Sequence, residues 1–379
     1  MRMRKKLNIA MPGHKRIPSR EGGIEIVVEE LCKRMAALGH NVSVYNRAGH
    51  HVSGKEFDRK DSVASVEGVR IKTVPTIERK GLAAVTSSFF ASLFAAFNNY
   101  DIVHIHAEGP AAFCFIPKLF RKKIIVTVHG LDHLREKWKF GFGAKYIKFG
   151  ERMAVRFADE IIVLSKGVQD YFLREYGRQT VFIPNGVEKA AVVPAELIRD
   201  SFGLEKDGYL LYLGRIVPEK GGHYLIEAFR EVETEKKLVI AGGASDSDEY
   251  MMRLKKLAAG DDRIVFTGFV QGRMLEELYS NAYLYVLPSD LEGMPLSLLE
   301  AMSYGNCCVV SDIAECTEVV EDKAVVFRKG DVENLRMVLQ ACCDDVDMVG
   351  QYKNQAADFI CRKYSWDDVV NWTLELYRG

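Results

Sequence analysis

The chain has 379 residues, 48% of them hydrophobic and 10% aromatic. This length is too great for one ordinary domain, and the composition is that of a globular protein, so two domains are expected. The formal net charge is zero, and we expect no nucleic-acid partner.

The charges are unevenly distributed along the chain. Residues 1–190 hold 32 Lys and Arg against 19 Asp and Glu, whereas residues 191–379 hold 20 against 33. Attraction between the two halves is one explanation. The other is that the basic half faces an anionic partner, such as a membrane surface or a lipid pyrophosphate. The sequence leaves both open.

Cysteine usage and the N-terminus indicate the compartment. The eight cysteines form no C-x-x-C pair and include two adjacent doublets, which predicts reduced, mostly buried thiols in a cytosolic protein. The N-terminus, MRMRKKLNIAMPG, is basic but enters a short strand instead of a signal-peptide apolar region. No apolar run is long enough to span a bilayer. We therefore expect a cytoplasmic protein, either soluble or peripheral at the inner face of the plasma membrane.

Short β-rich runs alternate with helical patterns in chain order. In the first half, strands are predicted at 7–11, 41–47, 69–75, 101–107, 123–129, 160–165 and 181–184, with helical patterns between most of them, for example 24–38 and 144–157. In the second half, strands are predicted at 209–215, 237–243, 263–268, 282–288, 306–312 and 324–327.

Apolar strands interleaved with helices predict parallel sheets that are covered on both faces. The fold class is therefore α/β, with two facing Rossmann-like domains. The predicted domains are 1–187 plus 363–379, and 188–362. Ligands of such sheets bind outside the carboxyl ends of the strands, so the two domains are expected to share a cleft.

The most informative segment is PSDLEGMPLSLLEA, at residues 288–301. A predicted strand leads into a turn that bears Glu292, and Pro295 is predicted at the first helical position. The exposed amides at the start of this helix, together with its dipole, are suited to a diphosphate. Glu300 is expected two turns into the helix, about 12 Å along the axis from Glu292. The alternative is that both glutamates are ordinary surface residues.

Three other segments lie at predicted strand ends. Gly22 and Gly23 open a helix, where a backbone can approach a phosphate, although a Gly-Gly pair is more often a plain turn. Arg215 and Lys220 flank a turn and suit a leaving diphosphate, unless the turn is simply solvated. Residues 263–270, RIVFTGFV, offer a glycine-bearing turn that can hold a nucleobase.

The order of the motifs resembles a known family. The motifs are GGIE, VHG at 128–130, PNGV at 184–187, GRIVPEKG at 214–221, RIVFTGFV at 263–270 and EGMPLSLLEAMSYG at 292–305. Together they resemble the retaining nucleotide-sugar glycosyltransferases of family 4, which have the GT-B fold. The opening MPGHKRIPSREGGIE also resembles enzymes of bacterial capsular or cell-wall polysaccharide synthesis, including rhamnosyltransferases.

The resemblance implies roles for individual residues. Arg215 and Lys220 would neutralise the donor diphosphate, and Glu300 would bind the ribose diol. Glu292 would hold hydroxyls of the transferred sugar, and His129 would contact that sugar near the reacting carbon. The catalytic set is then Glu292, His129, Arg215 and Lys220, and the donor-binding set is Gly22, Gly23, Asn185, Gly268, Phe269, Val270, Gly293, Met294, Pro295, Leu296 and Glu300.

The sequence departs from the family pattern in two places. The common EGFG becomes EGMP, which leaves one amide fewer, and Asn306-Cys307 stands where the family often has a proline. Both departures concern the identity of the sugar. A UDP-sugar donor is favoured, dTDP-rhamnose remains open, and the acceptor is expected to be a glycan or a polyprenyl-diphosphate-linked sugar.

The expected chemistry needs neither a cofactor nor a metal. Positioned cations and helix dipoles stabilise the leaving diphosphate, and retention is expected through same-face attack; a covalent intermediate on Glu292 is the lesser alternative. Asp246-Ser247-Asp248 spells D-x-D, but acidic residues at a helix start explain it. His104 and His106 share one face of a strand without an apparent ligand partner.

Two segments are candidates for contact with the acceptor or a membrane. Residues 134–153 interleave Lys with aromatic residues, and residues 83–97 form an apolar helix that is either core or lipid-facing. Two other functions remain: a nucleotide-sugar epimerase of the same fold, and a non-catalytic partner subunit.

Overall fold

The computed structural model describes residues 6–20, 22–49, 65–79, 81–135, 141–243 and 248–379. The chain divides into two compact units, unit 1 with Met1–Asn185 and Trp366–Gly379, and unit 2 with Gly186–Ser365. The predicted boundaries, after residues 187 and 362, lie two residues after Asn185 and three residues before Ser365.

Unit 1 is built on one eight-stranded sheet. Its strands are β1 (Asn8–Met11), β2 (Asn41–Arg47), β3 (Ser65–Val66), β4 (Val69–Val74), β5 (Ile102–His106), β6 (Lys123–Val128), β7 (Glu160–Val163) and β8 (Val181–Phe182). Their spatial order is β3-β4-β2-β1-β5-β6-β7-β8. The pairs are parallel except for the short β3, which is antiparallel to β4 and was not predicted.

The helices of unit 1 follow the strands. They are α1 (Gly23–Ala37), α2 (Leu82–Phe97), α3 (Glu108–Ala111), α4 (Phe115–Leu119), α5 (Phe142–Phe157) and α6 (Lys166–Tyr176), with a 3-10 turn at Asp132–Leu134. The C-terminal helix of the chain, α15 (Trp366–Arg378), also belongs to this unit. It is anchored by the Tyr377 hydroxyl, which lies 2.6 Å from Nδ1 of His104.

Unit 2 repeats the scheme with six parallel strands. These are β9 (Tyr209–Leu213), β10 (Lys237–Ala241), β11 (Ile264–Gly268), β12 (Leu284–Leu287), β13 (Cys308–Ser311) and β14 (Val325–Phe327), in the spatial order β11-β10-β9-β12-β13-β14. Its helices are α7 (Leu197–Phe202), α8 (Gly222–Arg230), α9 (Asp248–Leu257), α10 (Arg273–Asn281), α11 (Leu296–Ser303), α12 (Ala314–Val320), α13 (Val332–Asp344) and α14 (Val346–Lys363), with a 3-10 turn at Pro218–Lys220.

Burial explains why the strands were readable in the sequence. Every residue of β5 and β12 is buried, because helices cover both faces of a parallel sheet and leave no exposed side to carry polar residues. The eight cysteines are free thiols, and burial raises the pKa of several of them, including Cys316. Within the described residues, no helix is long and apolar enough to cross a bilayer.

Candidate functional site

In the sheet of unit 2, the direction in which the chain adds successive strands reverses between β9 and β12. From β9 the chain proceeds outward through β10 and β11, and then β12 returns to the other side of β9. Ligands of doubly wound sheets bind at the carboxyl ends of the strands at such a switch point. Arg215 and Lys220 follow β9, and Glu292 follows β12. The topology therefore brings these predicted residues to the same edge of the sheet.

Lys220 and Glu292 form an ion pair at this edge. Nζ of Lys220 lies 2.5 Å from Oε1 of Glu292, and their side chains are 14% and 7% exposed. The hydroxyl of Ser289 donates to the same oxygen at 2.6 Å. The sequence predicted both residues in the site but not their contact.

The two loops that carry this pair are joined by their backbones. The N–H of Asp290 donates to the carbonyl of Glu219 at 2.8 Å. Gly221 has a φ of +68°, and a Cβ there would lie 2.0 Å from the carbonyl oxygen of Pro288. Glycine is therefore required at this position, and the close approach fixes the loop of Lys220 against the loop of Glu292.

Two buried tyrosines support the loops from below, and sequence reasoning missed them. The hydroxyl of Tyr212 in β9 donates to the carbonyl of Arg215 at 3.0 Å. The hydroxyl of Tyr285 in β12 lies 3.2 Å from the carbonyl of Leu213 and 2.8 Å from Oγ of Ser297. A tyrosine in a fully buried strand needs a hydrogen-bond partner, and this is the signal that could have identified them.

The helix after Glu292 starts later than predicted. Pro295 is the N-cap, with φ −76° and ψ 99°, and α11 begins at Leu296. The N–H groups of Leu298 and Leu299 both donate to the carbonyl of Pro295. The prediction that Pro295 occupies the first helical position is therefore wrong, because its ψ is extended. The predicted 12 Å of helical rise is wrong too, since only Leu296 to Glu300, about 6 Å, is helical.

Glu300 lies on α11 beside a pair of stacked tyrosine rings. The hydroxyl of Tyr279 donates to Oε2 of Glu300 at 3.2 Å, and the rings of Tyr279 and Tyr304 stack with centroids 5.2 Å apart. Glu300 is partly exposed, so its carboxylate is held in place yet reachable.

The predicted base-binding turn follows β11. Gly268 has a φ of +70°, and its carbonyl accepts the N–H of Gly242 at 2.9 Å. Gly242 is itself confined, because a Cβ there would lie 1.8 Å from the carbonyl oxygen of Gly214. Phe269 and Val270 come next and are half-buried. The turns after β9, β10 and β11 are therefore one continuous backbone unit.

Unit 1 has its own switch point, between β1 and β5, and histidines occupy it. Gly13 follows β1 with a φ of +114°, and a Cβ there would lie 2.2 Å from the carbonyl oxygen of His106. Nδ1 of His106 lies 3.0 Å from Nε2 of His129, which follows β6. The rings of His104 and His106 stack with centroids 4.3 Å apart. Nε2 of His104 lies 2.6 Å from the hydroxyl of Thr127.

These histidines are held uncharged. Burial lowers the pKa of His129 to about 3, with a smaller contribution from Arg135. Burial also lowers the pKa of His104 to about 3 and that of His14 to about 4. At neutral pH each ring therefore acts as a hydrogen-bonding group and not as a cation. The predicted shared face of His104 and His106 is present, and the contact of His106 with His129 is new.

The remaining predicted residues lie in unit 1 as follows. Gly22 is the N-cap of α1 and Gly23 its first residue. A Cβ on Gly22 would lie 2.5 Å from Oε2 of Glu25, whose other oxygen accepts the N–H of Lys15 at 2.8 Å. Asn185 is buried after β8. A carboxylate thus already lies beside the start of α1.

The sequence predicts no metal, and acidic residues at a helix start explain its D-x-D segment. Asp246 and Ser247 of the D-x-D lie outside the described residues, and Asp248 begins α9. Within the described residues, the group of side chains that could hold a metal ion is Glu108, His133 and Glu151 in unit 1. Their wide sequence separation gave no motif.

Comparison with known proteins agrees with this architecture. Residues 21–190 match the family described as Glycosyltransferase Family 4, and residues 195–358 match the family described as Glycosyl transferases group 1. The alpha-maltose-1-phosphate synthase of Mycolicibacterium smegmatis is 28% identical over 280 residues, which cover 67% of this chain and 72% of that protein.

Two further proteins are similar over different extents. The O-antigen chain mannosyltransferase B of Escherichia coli is 29% identical over 192 residues, covering 49% of this chain and 50% of that protein. The HepE protein of Anabaena, solved in complex with UDP and glucose, superposes with a TM-score of 0.80 at 18% identity, covering 98% and 99% of the two chains. With both family matches in succession on two parallel-sheet units, the chain belongs to the glycosyltransferases, as a GT-B enzyme with a family 4 domain followed by a group 1 domain.

Proposed function

We propose that the protein transfers a hexosyl or deoxyhexosyl group, with retention, from a UDP-sugar to a glycan or lipid-linked sugar in surface polysaccharide synthesis. The observation that carries this proposal is the edge of the unit 2 sheet, where Lys220, Glu292 and the start of α11 meet. Glycosyltransferase activity with nucleotide-sugar donors is supported by the family matches.

The donor diphosphate is assigned to Arg215, Lys220 and the first amides of α11. The first N–H groups of a helix lack intrahelical acceptors and carry partial positive charge. Lys220 has three donors, so its ion pair with Glu292 leaves others for phosphate oxygens. UDP is favoured because Glu300 suits a ribose diol and because HepE, a structural neighbour, was solved with UDP and glucose; dTDP-rhamnose stays open.

The environment of Glu292 favours same-face attack over a covalent intermediate. Its Oε1 already accepts from Lys220 and Ser289, which stabilises the carboxylate and lowers its nucleophilicity. The leaving phosphate then takes the acceptor proton, and Glu292 orients sugar hydroxyls through Oε2. His129 contacts the substrate as a neutral imidazole. The reaction so described needs no metal.

The acceptor proposal rests on an exposed apolar face of unit 1. Helix α2 buries mainly serine and alanine and exposes Phe94 and Phe97, at 38% and 68%. Phe120 lies beside Phe97, with ring centroids 4.7 Å apart, and Leu119 is 74% exposed. Arg121 is exposed next to them. An apolar face with a cationic edge suits an anionic lipid surface, such as the inner leaflet.

The second candidate segment is described only in part. Residues 136–140 lie outside the described residues. In the rest, Phe142 is 92% and Phe149 is 45% exposed on α5. These rings form a second exposed apolar group of unit 1, which we assign to the same proposed lipid contact. The name of the similar O-antigen chain mannosyltransferase B supports a surface-polysaccharide acceptor.

The experiment is a donor panel followed by product analysis. UDP-, GDP-, ADP- and dTDP-sugars are tested by thermal shift in EDTA, and the donor that binds is incubated with and without lipid-linked acceptors. We expect one base to be preferred and a product with retained anomeric configuration by NMR. Conversion of the donor sugar without acceptor would indicate an epimerase, and absence of donor binding would indicate a non-catalytic subunit.

The membrane part has its own test. Binding to anionic liposomes at low salt is compared between the wild-type protein and Phe97→Ser, with Phe182→Ser, which changes a partly exposed ring on β8, as control. We expect binding to fall for Phe97→Ser alone. Absence of wild-type binding would contradict the lipid-facing assignment and leave the donor assignment intact.

A further inference from the structure

Three side chains from separate elements of unit 1 converge on one buried point. Glu108 begins α3, His133 lies in the 3-10 turn after β6, and Glu151 lies in α5. One ligand atom from each lies within 4.8 Å of the other two. Glu108 is 1% exposed and Glu151 is fully buried, and the His133 side chain is 13% exposed.

One of the converging atoms lacks a hydrogen-bond partner within the described residues. In the part of the chain that the structure describes, Oε1 of Glu108 is buried without a hydrogen-bond partner. Nδ1 of His133 and Oε1 of Glu151 lie 2.8 Å apart and form an ion-pair contact. Buried polar atoms are rarely left unsatisfied, because each one costs desolvation energy. An unsatisfied carboxylate oxygen of Glu108 beside this contact indicates a ligand shared by the three side chains.

The opposite side of each carboxylate is firmly held. Oε2 of Glu108 accepts the N–H of Asp132 at 3.1 Å. Oε2 of Glu151 accepts the hydroxyls of Tyr171 and Tyr176, at 2.8 and 2.6 Å, and Nζ of Lys148 lies 3.2 Å from it. Such outer contacts orient carboxylates for metal binding and are characteristic of ligand-supporting shells.

Helix packing fixes the distance between the two carboxylates. A Cβ on Gly150 would lie 1.9 Å from the carbonyl oxygen of Glu108, so α5 packs directly on the backbone of α3. Glu108 and Glu151 therefore approach each other on rigid supports. His133 comes from a turn and is the ligand that can adjust.

We propose that Glu108, His133 and Glu151 bind a divalent transition metal ion of the Zn²⁺ class. One imidazole nitrogen and two carboxylate oxygens suit Zn²⁺, Mn²⁺ or Co²⁺ better than Mg²⁺ or Ca²⁺, which prefer oxygen alone. Two carboxylates balance the charge of the ion. With bonds of ~2.1 Å, tetrahedral ligand atoms lie about 3.4 Å apart, so small side-chain shifts close the site. Three protein ligands leave a position for water.

The role of this ion is structural. The ion links the 3-10 turn that carries His133 to helices α3 and α5. The sugar-transfer steps described above do not involve it. The inference therefore stands independently of the proposed donor and acceptor.

The test is a Co²⁺ titration of the full chain after treatment with EDTA and its removal. We expect one Co²⁺ per chain, detected by visible d–d absorption, displacement by Zn²⁺, and a rise in unfolding temperature. Glu108→Gln and His133→Gln should each weaken Co²⁺ binding roughly 100-fold, as loss of a ligand is at least as costly as loss of its support. His223→Gln in unit 2 is the matched control and should bind as the wild type does.

A measurement on the wild-type protein keeps the test independent of variant folding. X-ray absorption of the Zn²⁺-loaded protein should show a shell of nitrogen and oxygen with one imidazole. A sulfur ligand or several imidazoles would place the ion at the cysteines or at the histidine stack and overturn the proposal. So would absence of Co²⁺ binding, or binding that both ligand variants retain.

Discussion

Breaking the ion pair of Lys220 and Glu292 should destabilise unit 2 in a strongly non-additive manner. The charged atoms are 2.5 Å apart and the side chains are 14% and 7% exposed, so each is largely desolvated. At an effective dielectric constant of 20, two unit charges at this distance attract by about 6–7 kcal/mol, much of which offsets desolvation. Glu292→Gln should cost about 2 kcal/mol and Lys220→Met about 3 kcal/mol, since the latter leaves a buried carboxylate uncompensated.

The double variant provides the measurement. We expect it to lose about 3 kcal/mol instead of the roughly 5 kcal/mol of independent effects, a coupling of about 2 kcal/mol. Urea unfolding followed by tyrosine fluorescence and circular dichroism gives the free energies, because the three tryptophans of the chain all belong to unit 1. In a unit of this size, about 2 kcal/mol lowers the melting temperature by about 4–8 °C.

An exposed pair serves as the control. Lys189 and Asp358 lie 2.8 Å apart but are 67% and 78% exposed, so solvent screening should remove any measurable coupling. A coupling for Lys220 and Glu292 as small as that of the control would refute the reasoning, because burial would then contribute nothing. The same variants distinguish the binding roles of the two residues. Lys220→Met should weaken the binding of UDP itself, whereas Glu292→Gln should weaken the binding of the UDP-sugar more than that of UDP.

Three further predictions concern other parts of the chain. Glu300→Gln should lower UDP affinity about tenfold and abolish discrimination between UDP and 2′-deoxy-UDP by calorimetry; persistent discrimination would place the ribose elsewhere. Gly242→Ala should lower the free energy of unfolding in urea by about 3 kcal/mol or more, because φ is +148° and the new Cβ would lie 1.8 Å from the carbonyl oxygen of Gly214. The control Gly260→Ala, with φ +85° and nothing within 4 Å of the new Cβ, should lower it by only about 1 kcal/mol. Equal losses in the two variants would contradict the steric argument. The free energy of unfolding should fall as pH drops from 6.5 towards 4, because the unfolded chain binds a proton at His14 that the native state, in which the pKa of His14 is about 4, does not bind. Above pH 6.5 this histidine contributes about 3 kcal/mol of stability. An unchanged pH profile in His14→Gln would show that His14 makes no such contribution.

The strands were predictable because a buried parallel strand leaves a continuous apolar run in the sequence. Strand β12 reads LYVL and is buried throughout, and the turn residues after it could then be assigned to the carboxyl edge of a sheet. This reasoning needs the element order alone. It does not give the spacing of the groups that follow the strands.

Residues whose position depends on packing could not be predicted. Pro295 fits both an N-cap and a first helical position by its φ, and only ψ separates them. His106 meets His129 because β5 and β6 pair with His106 opposite Thr127, a register that the sequence does not specify. Glu108 meets Glu151 because Gly150 lets two helices touch.

The backbone hydrogen bonds among the turns of unit 2 have an evolutionary consequence. The N–H of Gly214 donates to the carbonyl of Ala241, that of Gly242 to Gly268, and that of Ile216 to Gly243. Because main-chain atoms carry this framework, its hydrogen bonds do not depend on the identity of the surrounding side chains. Donor preference can therefore change through single side-chain substitutions, whereas a side chain at Gly242 would break the framework, because its Cβ would lie 1.8 Å from the carbonyl oxygen of Gly214.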